Sequence, residues 1–158
     1  MELWGDRRRV VLLTGMALVG WLACPLAAGE KASDWPQFRG PSGMGVSQDQ
    51  GLPATWSPTE NLVWKTELPG AGTSTPIIEG ERIFLACYSG YGVPGQERGT
   101  IDGLKRHLVC LSRADGKILW DRQVAAKLPE QAAIRENHGY ASNSPAADGE
   151  RVYAFFGK

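Results

Sequence analysis

Cysteine and histidine are scarce in this sequence, with three Cys and two His in 158 residues. There is no Cys-x-x-Cys and no His/Cys cluster, so zinc, haem attachment and thioredoxin-type redox chemistry find no support. An excess of charge of either sign is also missing, since 17 basic side chains balance 17 acidic ones. Taking away the first 29 residues removes three Arg and two acids and leaves 14 basic against 15 acidic. A basic nucleic-acid footprint and a polybasic membrane surface are therefore excluded. Gly70-Ala71-Gly72-Thr73 and Gly157-Lys158 lack the spacing of a phosphate loop. Asp115-Gly116 and Asp148-Gly149 each offer one carboxylate, where calcium takes several oxygens. Asn143-Ser144-Pro145 has its serine one place too early to be a glycosylation acceptor. No Ser/His/Asp order stands out, and His107, following Lys105-Arg106, is expected at a solvated strand edge.

Glycine and proline are abundant, 20 and 10 residues. Together they approach a fifth of the chain, against roughly 12% in average usage, without a Gly-X-Y period. That surplus predicts many turns and short elements. The 42% apolar share is that of a globular chain and not of a disordered one.

The N-terminus has the three-part order of a secretory signal: Arg7-Arg8-Arg9, an uncharged run from Val10 to Ala28, and Pro25-Leu26-Ala27-Ala28-Gly29 at its end. Residues 1–29 are expected to be a signal peptide cleaved after Ala28 or Gly29, so that the chain is exported to a periplasmic or extracellular space. The run also has the length of a membrane span, about 17–25 residues, which keeps an uncleaved anchor open. Cys24 behind Ala23 leaves lipidation open too. After cleavage no transmembrane span is expected. An oxidising compartment would permit a disulfide. Antiparallel pairing of Ile83–Cys87 with His107–Ser112, however, sets Cys110 opposite Phe84 and leaves Cys87 on the other face.

Residues 30–60 form a lead-in with little patterning. Beyond it run short β-type segments, Leu62–Leu68, Thr75–Ile78, Arg82–Cys87, Leu108–Ser112, Lys117–Val124 and Arg151–Phe156, punctuated by Gly, Pro, Asp and Asn. Glu79-Gly80, Asp115-Gly116 and Asp148-Gly149 sit between them, and a tight Asp-Gly hairpin is expected to hold both central residues at positive φ. Only Leu128–Glu136 suits a helical turn. The fold class is all-β. Ser74-Thr75-Pro76-Ile77-Ile78-Glu79-Gly80-Glu81-Arg82-Ile83-Phe84-Leu85 aligns without gaps on Asn143-Ser144-Pro145-Ala146-Ala147-Asp148-Gly149-Glu150-Arg151-Val152-Tyr153-Ala154. All-β repeats of ~40–50 residues suggest propeller blades. The interval here is longer, and Tyr88–Arg106 and Ala125–Tyr140 have the character of loop insertions.

Leu108-Val109-Cys110-Leu111-Ser112-Arg113-Ala114-Asp115-Gly116-Lys117-Ile118-Leu119-Trp120 resembles the repeat of pyrroloquinoline-quinone (PQQ)-type propellers: an apolar strand, Ala-x-Asp, a Gly-Lys turn, then Trp. Ser112 departs from it, standing where the family often has Asp. Asn61-Leu62-Val63-Trp64-Lys65 is similar to the outer strand and docking Trp of a neighbouring blade, and Asp34-Trp35-Pro36-Gln37-Phe38-Arg39-Gly40-Pro41 to the lead-in of exported bacterial members. The resemblance covers about residues 34–158. It implies a partial propeller of about one and a half four-stranded blades over 61–158, interrupted mid-blade, within a larger protein. It also implies structural roles for Trp64, Gly116 and Trp120, with a Trp ring buried flat at each blade junction.

Two activities follow from the resemblance. One is a non-enzymatic scaffold or binding protein, like the BamB-type lipoprotein of outer-membrane barrel assembly, whose partners are other proteins or cell-envelope components. The other is a quinoprotein oxidoreductase acting on alcohols or sugars with PQQ and calcium. The adjacent cysteines, calcium ligands and catalytic Asp of that enzyme find no match here, so no catalytic or metal residue is assigned and the scaffold reading is preferred. His138, in the loop Glu136-Asn137-His138-Gly139-Tyr140 just before a blade's first strand, is the local candidate for a ligand site.

Overall fold

The computed structural model describes residues 33–131 and 138–157. The expected signal peptide over 1–29, Cys24, the start of the lead-in and 132–137 lie outside the described residues. Among the described residues the strands are six: β1 Ile77–Glu79, β2 Arg82–Ser89, β3 Lys105–Ser112, β4 Ile118–Ala125, β5 Ala146–Ala147 and β6 Val152–Tyr153. β1 to β4 form one antiparallel sheet in chain order, and β5 with β6 a separate hairpin. The fold is all-β, and the helical structure among the described residues is a turn of 3-10 helix at Ile101–Gly103. No helix among the described residues is long and apolar enough to cross a membrane.

Burial explains which strands could be read from sequence. β2 and β3 are central and covered on both sides, so their apolar residues run almost without interruption. β4 is an edge strand and exposes Ile118, Leu119 and Val124. Phe84 pairs with Cys110 and Ile83 with Leu111, the register the sequence implied, and Cys110 pairs on with Trp120. Both strands run beyond their expected ends, to Ser89 and back to Lys105. Leu62–Leu68 corrects the expectation of a strand. It joins no ladder and is held by side chains, Trp64 Nε1 donating to Arg113 O at 3.0 Å and Thr66 Oγ1 to Gly116 O at 2.6 Å. β5 and β6 are two residues each, and β6 is much shorter than the expected Arg151–Phe156 run. Leu128–Gln131 carries no helix.

The turns correct the expectation of paired positive φ. Only the glycines adopt it, Gly80 at 57°, Gly116 at 69° and Gly149 at 89°. Gly80 leads a two-residue loop, the place a type II′ turn reserves for glycine. Gly116 follows a wider loop in which Ser112 N donates to Lys117 O and Gly116 N to Ser112 O. Asp115 caps that loop through Lys117 N, and the hydrogen bond from the Lys117 ammonium leads the causes that hold its carboxyl at about 2.

The sheet is clothed by different parts of the chain on its two faces. The face with Leu85, Cys87, Val109 and Leu111 takes Trp64 and Leu68 from the preceding segment. The opposite face, with Phe84 and Cys110, packs with Trp120 and with Ala147 and Val152 of the following hairpin. Further along it, Ala86, Tyr88 and Leu104 enclose Tyr140 and Ala141. The lead-in is tied down as well: Trp35 exchanges two backbone hydrogen bonds with Ile78, and Pro36 O accepts from Ala147 N. Asp34–Pro36 thus links β1 to β5.

Candidate functional site

The residues singled out from sequence are brought together in part. Trp64 and Gly116 meet, so closely that a Cβ on Gly116 would overlap the indole ring. Trp120 lies on the opposite face, 5.8 Å from the Phe84 ring centroid. His138 is exposed, and its carbonyl accepts from Thr73 Oγ1 at 3.3 Å.

The two residues after His138 line a cleft of about 350 Å³, a small-molecule volume. Its walls include Tyr140, Ser142, Phe156 and the ion pair Arg106–Glu130. Both terminal nitrogens of Arg106 donate to the Glu130 carboxylate at 2.9 Å, with side chains 7% and 4% exposed. The guanidinium lies over the Tyr140 ring, 5.9 Å from its centroid. Arg106 Nε has no hydrogen-bond partner among the described residues. A bidentate pair of this kind cancels its own charge, so the cleft presents amide, hydroxyl and aromatic groups around a neutralised pair.

On the other face, three side chains from three successive strands form a hydrogen-bonded relay. His107 corrects the expectation of a solvated position, being 3% exposed in the middle of the sheet. Ser89 Oγ is 2.8 Å from His107 Nε2. His107 Nδ1 is 2.9 Å from Asp121 Oδ2, which also accepts from Gln123 Nε2 at 3.0 Å. The register produces this: Cys87 pairs with His107 and Ser89 with Lys105, while Asp121 pairs with Val109. Serine, histidine and aspartate therefore share one face on diagonal positions, within reach of long side chains.

Cys87 and Cys110 are buried free thiols on opposite faces. Burial first, and the Asp121 charge second, push the Cys87 thiol up to about 11. Burial raises Cys110 too. Neither is a thiolate nucleophile near neutral pH. Among the described residues no group of three or more His, Cys, Asp or Glu is placed to hold a metal ion. The sequence matches no family model, and no curated protein or solved structure is significantly similar to it.

Proposed function

We propose that the β1–β4 sheet is one blade of a PQQ-type propeller, that β5–β6 opens the next, and that the chain belongs to an exported scaffold or binding protein of the cell envelope. One observation carries the propeller part: equivalent positions of the two sequence repeats stand side by side. Thr75 N donates to Ser144 Oγ at 3.0 Å, and these residues occupy the same place in the aligned repeats. The repeated turns, Glu79-Gly80-Glu81-Arg82 and Gly149-Glu150-Arg151, line one shared hollow. Sheets stacked face to face with like strands adjacent are the arrangement of neighbouring blades. The Trp64–Gly116 contact supports the same reading, since it sets a Trp from the preceding segment on the turn of the Gly-Lys motif.

The binding part rests on what the molecule offers a partner: loops, the cleft beside Tyr140, and the β4 edge, which among the described residues pairs with β3 alone and is suited to strand addition. Expression of the full chain with its own leader in a Gram-negative host tests the function. The expected product is exported, begins at Gly29 or Glu30 by mass, and reduces no dye with alcohols or sugars when PQQ and calcium are added. A product kept in the cytoplasm with Met1 in place would contradict export, and PQQ-dependent dye reduction would replace the scaffold reading with the oxidoreductase.

A further inference from the structure

We infer that Ser89 is a base-activated nucleophile that accepts acyl groups from activated carboxylic esters. The inference rests on the Ser89–His107–Asp121 relay alone and does not depend on the propeller or on export. Asp121, steadied by Gln123, holds the proton on His107 Nδ1. That leaves Nε2 as the acceptor for the Ser89 hydroxyl at 2.8 Å, the arrangement in which imidazole serves as general base. Burial is graded in the sense such a relay needs. His107 is enclosed, whereas Ser89, at the end of β2, keeps part of its surface in solvent. Gly70 lies beside it, where a Cβ would come within 3.2 Å of Ser89 Cβ, so no side chain from that position covers the hydroxyl.

The chemistry balances without a co-reactant other than water. Ser89 Oγ forms a bond to the acyl carbon while its proton passes to His107 Nε2. The ester C–O bond then breaks, and the departing oxygen takes that proton. Water reverses the sequence, giving its proton to His107 as its oxygen bonds to the acyl carbon, and Ser89 Oγ leaves protonated. The relay places a base but does not itself stabilise charge on the acyl oxygen. The reactive class is therefore esters with a good leaving group, in preference to amides.

The full chain treated with an alkyl fluorophosphonate, and separately with p-nitrophenyl acetate, is expected to carry the label at Ser89 in peptide mass spectra. Labelling should be at least about 100-fold faster than in the guanidinium-unfolded chain, the lower bound for a positioned base. His107→Gln should lose that advantage. Asp121, which acts through His107 as a positioning residue, should slow labelling when replaced in Asp121→Asn and recover part of the rate in Asp121→Glu. Thermal melts of each variant separate lost reactivity from lost fold. No label at Ser89 in the native chain, or equal rates in folded and unfolded chains, overturns the inference. So does a full rate in a folded His107→Gln variant.

Discussion

Glu130→Gln is expected to lower stability by about 3–5 kcal/mol, because it leaves the buried Arg106 guanidinium without its counter-charge. The two side chains are among the most enclosed charged groups described, and both terminal nitrogens of Arg106 are spent on this one carboxylate. Arginine cannot escape by losing its proton. The amide of Gln offers one acceptor where the carboxylate offered two, and Lys127 N, which donates to the same carboxylate at 3.2 Å, is also affected. Urea melts of the two chains measure the loss. Because the cost comes from an orphaned charge and not from the worth of the pair, the double replacement Arg106→Met with Glu130→Leu should recover most of it. A double variant as unstable as Glu130→Gln alone would locate the damage in packing around Tyr140 instead.

Gly116→Ala is expected to cost about 2–5 kcal/mol, from two additive causes. Its φ of 69° lies in the left-handed region, which costs a residue with Cβ about 1–2 kcal/mol. The added methyl also drives into the Trp64 ring, with a further overpacking cost of about 1–3 kcal/mol. The two causes separate in a double-mutant cycle. In a Trp64→Ala background the ring is gone and only the backbone part and the contact with Thr66 Oγ1 remain, so Gly116→Ala should cost less than in the unaltered chain. Equal costs in both backgrounds would mean that the indole does not rest on Gly116 in solution.

How much of this could be read from the sequence depends on where the signal was local. Runs of Ile, Phe, Leu and Val between Gly turns located β2 and β3, because covered strands are apolar throughout, and the apolar residues of β4 located it as well although that strand is exposed. The Phe84–Cys110 register followed from the same strands, and with it the opposite placement of the cysteines. Leu62–Leu68 misled because its apolar residues serve as side-chain anchors on a neighbouring turn, and composition does not distinguish an anchor from a ladder. The relay was missed for a narrower reason. Ending β2 at Cys87 and treating His107 as an edge residue hid Ser89, whereas carrying the inferred register two residues further would have set Ser89 and His107 on one face. The Arg106–Glu130 pair had no signal in sequence, since a loop excursion after β4 brings Glu130 back to β3.

The measurement that bears most directly on the central claim is a methyl-detected nuclear Overhauser spectrum of the full chain with labelled Ala and Val. The claim is that consecutive repeats stack face to face. It predicts cross-peaks from the methyls of Ala147 and Val152 to the side chains of Ile77, Phe84 and Cys110, the cluster on which they pack. It also predicts that β5–β6 melts together with the β1–β4 sheet. Methyls of Ala147 and Val152 with no contact to that cluster, and a hairpin that melts independently of the sheet, would contradict it.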